Sequence, residues 1–149
     1  MNNSDNKIIF IDKNRSTIIT LEDFVYSESA IQIFDYKLTI SYEFFHAETN
    51  IDCEVSDLMM LSEHLRLFYK GGPKACHFIP DISSHFSIHF YIDDFGIITV
   101  NAKLGVPSSQ SELVIYYQID QSFIPDLIKQ IDNILTLAPL PSTKTPSSK

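Results

Sequence analysis

The stretch His85-Phe-Ser-Ile-His-Phe-Tyr-Ile-Asp-Asp-Phe-Gly-Ile-Ile-Thr-Val100 decides the fold. Phe86, Ile88, Phe90 and Ile92 alternate with His85, Ser87, His89 and Tyr91; after Asp93-Asp94-Phe95-Gly96, Ile98, Val100, Ala102 and Leu104 alternate with Ile97, Thr99, Asn101 and Lys103. Two runs of period two around a short glycine-containing loop make a β-hairpin. Further alternation follows at Leu113, Ile115, Tyr117 and Ile119. Upstream it runs through Tyr36, Leu38, Ile40, Tyr42 and Phe44, and its partner strand has Ile51, Cys53 and Val55 inward. Such alternation is that of antiparallel strands with one buried and one wet face. Residues 7–12 and 16–26 add strands of undecided register.

Two segments switch to helical spacing. Leu58, Leu61, Leu65 and Phe68 form one stripe within 57–70, capped by Ser56 or Asp57 and stopped by Gly71-Gly72-Pro73. Phe123, Leu127, Ile131, Ile134 and Ala138 form another within 123–138, with Ser122 as N-cap and Pro125 in the tolerated first turn. The expected fold is α+β: one antiparallel sheet of five to seven strands with both helices packed on one face. A single domain over 1–138 precedes a disordered Pro/Ser-rich tail, 139–149. No internal sequence repeat is visible.

The 149 residues carry a net charge of −8, and the excess is local: residues 20–57 hold nine acids against Lys37 alone. An acidic chain argues against a nucleic-acid partner held by phosphate contacts. No apolar run reaches the roughly 18 residues of a membrane span, and no signal-peptide pattern opens the chain, so the expected address is the cytoplasm, with no membrane partner. Cys53 and Cys76 sit in no paired motif and read as buried free thiols.

Catalytic constellations are missing: there is no phosphate loop, no HExxH, no GxSxG. His85 and His89 share a strand face about 13 Å apart, too far to chelate one metal easily. Asp93 and Asp94 read as turn residues and Asp120 as a strand-to-helix cap. No cofactor, no metal and no enzymatic activity are expected.

The residues quoted above, followed by Tyr117-Gln-Ile-Asp-Gln-Ser-Phe123 and preceded by Leu61-Ser-Glu-His-Leu-Arg-Leu-Phe68, resemble small immunity proteins of bacterial polymorphic toxin systems. The likeness is to the group related to the immunity partner of wall-associated RHS-repeat tRNase toxins. It implies a non-catalytic inhibitor that binds a cognate toxin domain. An acidic surface suits a basic nuclease domain, which points to Glu43, Glu48, Asp52 and Glu54 as electrostatic contacts, with Phe45 as an apolar anchor. The alternatives are a non-catalytic adaptor domain and a small metal-dependent hydrolase using His85, His89 and Asp120.

Overall fold

The computed structural model describes residues 6–80, 85–106 and 111–139. The chain forms β1 (Lys7–Ile11), β2 (Thr17–Glu28), β3 (Gln32–Tyr42), β4 (Phe45–Glu54) and α1 (Val55–Tyr69), then β5 (Ala75–Phe78), β6 (Phe86–Ile92), β7 (Ile98–Val106), β8 (Ser111–Ile119) and α2 (Ile124–Leu135). The strands make two antiparallel meanders in the orders β1-β2-β3-β4 and β5-β6-β7-β8. The α+β class holds, whereas the expectation of one sheet of five to seven strands is corrected to two sheets of four. The cause is local. Glu54 ends β4 and also caps α1, with the Asp57 carboxylate accepting the Glu54 N–H at 2.8 Å. The chain therefore leaves the first ladder as helix, and β5 begins a second one.

Four strands and a helix thus occur twice in succession, a structural repeat that the sequence does not display. The two units share one core. Phe10 of the first sheet lies 6.3 Å from Phe90 of the second, and Phe68 of α1 lies 6.4 Å from Phe90. The stripes of both helices are buried, with Leu58, Leu61, Leu65 and Phe68 facing in from α1 and Ile124, Leu127, Ile131 and Ile134 from α2. The helices do not lie side by side on one sheet face. Instead α1 packs on α2 and β5, and α2 on β1. There Gln130 accepts the Ile9 N–H at 2.7 Å, which occupies a donor that an open edge strand would leave unpaired. Between the helices, Asp132 accepts from buried Ser62 at 2.6 Å and pairs with Arg66.

The turn and cap residues behave as their chemistry dictates. Asp93 Oδ1 accepts from the N–H groups of Phe95 and Ile97, both at 2.9 Å, and Gly96 sits at φ +83°, a conformation an L side chain resists. Asp120 accepts the Ser122 N–H at 2.8 Å and caps a 3₁₀ turn over Gln121–Phe123 that leads into α2. Ser122 therefore receives the cap rather than supplying it. Both cysteines are free and buried. No helix among the described residues is long and apolar enough to cross a membrane. The tail expected from Pro139 onward falls, beyond Pro139 itself, outside the described residues.

Candidate functional site

Alternation on each strand sends the residues between the core positions to an outer face, and the two outer faces differ in chemistry. On the first sheet, register places Glu22 opposite Lys37, Thr39 opposite Glu48, and Asp35 directly opposite Asp52. The acidic charge seen in the sequence is thus on this sheet, but it is not a uniform patch. Lys37 pairs with Glu48, holding its carboxyl below the ordinary value, and Lys7 pairs with Glu22 at 3.6 Å. Glu54 is engaged at the start of α1. Glu43, at φ +54°, lies in the β3–β4 turn beside the fully exposed Phe44 and the 55% exposed Phe45. The structure therefore strings Glu43, Phe45, Glu48, Asp52 and Glu54 along the turn and edge strand β4. Two of the five already have structural partners.

The outer face of the second sheet is nearly uncharged. Its central row runs His77–His89–Asn101–Tyr116 across all four strands, with Tyr91 and Thr99 in the next row. Directly opposed cross-strand residues hold their Cβ atoms about 4.5–5.5 Å apart, so the members of this row are immediate neighbours. The His77 and His89 rings are 4.8 Å apart, and Tyr91 stacks on His89 at 6.3 Å with an interplanar angle of 14°. Tyr116, on the far side of Asn101, is 59% exposed. The strand residues facing outward here include one base, Lys103, and one acid, Glu112, at the end of β8. Burial first, then His77 and Lys103, push the His89 imidazole below its ordinary value.

Asn101 is a buried polar residue on this otherwise accessible face. Opposite His89 and Tyr116 in the register, it is only 9% exposed, and its Oδ1 has no hydrogen-bond partner. Among the described residues two other buried polar atoms share that condition, the hydroxyls of Tyr36 and Tyr117, and both belong to inward-facing core residues. Asn101 alone of the three lies on an outer face. An unpaired buried acceptor costs about 1–3 kcal/mol, and a donor arriving from outside removes that cost.

Elsewhere a cleft of about 530 Å³ opens among β1, β8 and α2, floored by Phe10, Phe90 and Leu127. Gln130 there bonds both Ile9 and Asp126, and the Arg15 guanidinium lies 5.1 Å over the Phe123 ring, while Tyr117, whose buried hydroxyl has no partner, also lines it. The hydrolase constellation of His85, His89 and Asp120 is not assembled, since Asp120 is committed to its cap and the ring against His89 is His77. Sequence reasoning missed His77, Asn101 and Tyr116. The signal that finds them is the register of β5 through β8, which alternation alone does not supply.

No family model matches the sequence, and no curated protein matches it. Among solved structures, the chain is similar to WHY1 from Arabidopsis thaliana, at 12% identity over 88% of this chain and 82% of that one, TM-score 0.44. It is similar to the plant transcriptional regulator PBF-2 at 8% identity, over 88% and 87% of the two chains, TM-score 0.46. A third is MRP1/MRP2 of Trypanosoma brucei, at 9% identity, over 87% and 81%, TM-score 0.44. None of the three is an immunity protein, and one is a transcriptional regulator. On that finding the expectation of a toxin-neutralising protein with a toxin partner and no nucleic-acid partner is corrected, together with its adaptor and hydrolase alternatives.

Proposed function

We propose that the chain binds single-stranded nucleic acid on the outer face of the β5–β8 sheet and catalyses nothing. The observation that carries this reading is the row His77–His89–Asn101–Tyr116, in which rings flank a buried, unpartnered carbonyl oxygen. Bases stack on exposed rings whatever their sequence, and alanine substitution of such a ring costs about 1–3 kcal/mol per base. A four-stranded sheet carrying aromatics is wide enough for about two or three bases. Asn101 Oδ1 would accept from an amino or imino group of a base, and in a duplex the imino groups and one hydrogen of each amino group are already paired and the base faces are stacked.

The acidic first sheet does not forbid this binding, because its charge faces away from the row. It does limit the strength of phosphate contacts. With Lys103 and Lys74 as the cations near the face, the slope of log affinity against log salt should be no steeper than about −1.4.

Fluorescence anisotropy with labelled 12-residue oligonucleotides tests the reading. Single strands should bind and the corresponding duplex should not. Tyr116→Ala and Tyr91→Ala should each weaken binding about 5- to 100-fold, matching about 1–3 kcal/mol. Equal affinity for duplex and single strand, or indifference to Tyr116→Ala, would remove the proposal.

A further inference from the structure

The approach of His77 to His89 is closer than ring stacking needs. Their Nδ1 atoms are 2.7 Å apart, and with both rings neutral only one hydrogen lies between them. One Nδ1–H donates, and the other Nδ1 aims its lone pair at the same point. Two imidazole nitrogens converging on one point from adjacent strands are a bidentate donor pair. We propose that His77 and His89 form a surface site for a divalent first-row transition ion, with copper(II) preferred.

Geometry separates the candidate ions. Tetrahedral zinc bonds of about 2.0–2.1 Å would hold the two nitrogens about 3.4 Å apart, whereas neighbouring positions of a tetragonal copper(II) or nickel(II) ion hold them about 2.9 Å apart. The observed 2.7 Å is the separation of a hydrogen bond, and turning the exposed His77 ring to face a shared ion opens it less to reach the second value than the first. Asn101, opposite His89 in the same row, adds an unpartnered oxygen donor on this face. Among the described residues no group of three or more His, Cys, Asp or Glu gathers, so water fills the remaining positions. Binding requires the shared hydrogen to leave its Nδ1. That ring takes up its other tautomer, with a proton on Nε2 in exchange with water, so both rings stay neutral and no net proton is released.

This site shares its rings with the strand-binding face but does not depend on that reading, since the probe is the metal ion alone. The full chain is titrated calorimetrically with copper(II), nickel(II) and zinc(II) salts near neutral pH, and the copper complex is examined by electron paramagnetic resonance. We expect one equivalent of copper bound, tighter than nickel or zinc, and a spectrum showing two coordinated nitrogens. His77→Ala and His89→Ala should each weaken binding more than tenfold, while His46→Ala and His85→Ala leave it unchanged. A spectrum without two coordinated nitrogens, zinc bound more tightly than copper, or equal losses in the His46 and His85 variants would overturn the assignment. The wild-type spectrum decides even where a variant misfolds.

Discussion

Replacing Asn101 by valine should make the protein more stable while removing part of its binding. The side chain is 9% exposed on strand β7 with Oδ1 unpaired, so the folded state carries a desolvation penalty of about 1–3 kcal/mol that the unfolded chain avoids. Valine removes the orphan acceptor and is also the better strand residue, on a propensity scale that spans about 1 kcal/mol. Against this stand the imperfect fit of a different shape and any bond the amide nitrogen makes, which leaves a net gain of about 1–2 kcal/mol. For a chain of this length each kcal/mol moves Tm by about 2–4 °C, so Tm should rise by about 2–8 °C. Urea unfolding with an unchanged m-value would assign the gain to stability rather than to a different denatured state. Gln118→Val, on the same face but exposed, isolates the propensity contribution and should show the smaller gain. The oligonucleotide affinity of Asn101→Val should fall in parallel. A loss of 0.5 kcal/mol or more would mean that Oδ1 is satisfied in solution, and the reasoning built on it would fail.

Three further outcomes follow from particular residues. Gly96→Ala should cost about 1–2 kcal/mol from its φ of +83°, with a Cβ 2.5 Å from Gln121 Nε2 breaking that amide's bond to the Gly96 carbonyl; Gly96→Asn should cost less, and thermal unfolding compares them. Burial pushes the Cys76 thiol up to about 12 and raises Cys53 as well, so neither should react with iodoacetamide at pH 8 until the protein is unfolded, as mass spectrometry will read. The Ser122 N–H, and then its side chain, hold the Asp120 carboxyl below its ordinary value. Its contribution is thus present above the unfolded pKa of about 3.9 and lost as pH falls through the lower folded value, so the Tm gap between wild type and Asp120→Ala should narrow in acid.

Most of the elements were legible because each rests on local chemistry, whereas the four-residue β5 was too short for alternation to mark it. Leu58, Leu61, Leu65 and Phe68 must share a helix face, and Asp93 with Gly96 must make a turn, whatever surrounds them. Alternation also assigns the buried side of β3, β6, β7 and β8, although it carries on to Phe44, which is exposed in the β3–β4 turn, and leaves β1 and β2 undecided. It does not say which strands pair or where a sheet ends, because those facts depend on partners distant in the chain. The junction at Glu54–Val55 shows the difference. Val55 continues the strand's alternation as a buried residue, yet it is the first residue of α1, buried on a helix instead. His89 shows it again: along the chain its nearest histidine is His85, while the ring it touches is His77, brought there by the β5–β6 register.

Net charge misled for a related reason: it averages over two outer faces of unlike chemistry. The inner faces of both sheets, with Phe10, Phe34, Phe86 and Phe90, share one core and are tightly constrained by packing. The outer faces contribute little to that core, so on one scaffold they can take unlike chemistry. The first carries carboxylates that oppose each other at Asp35 and Asp52, and the second carries rings around an unpaired amide. Both arrangements cost stability, but in different ways. Water and salt screen exposed like charges, so the Asp35–Asp52 repulsion is small and is reduced by ordinary solvent. A buried carbonyl oxygen is relieved only by a donor that reaches it, and on the proposed reading a base lying between His89 and Tyr116 supplies one. That asymmetry, rather than the larger total charge, is why we place the proposed ligand on the less charged face.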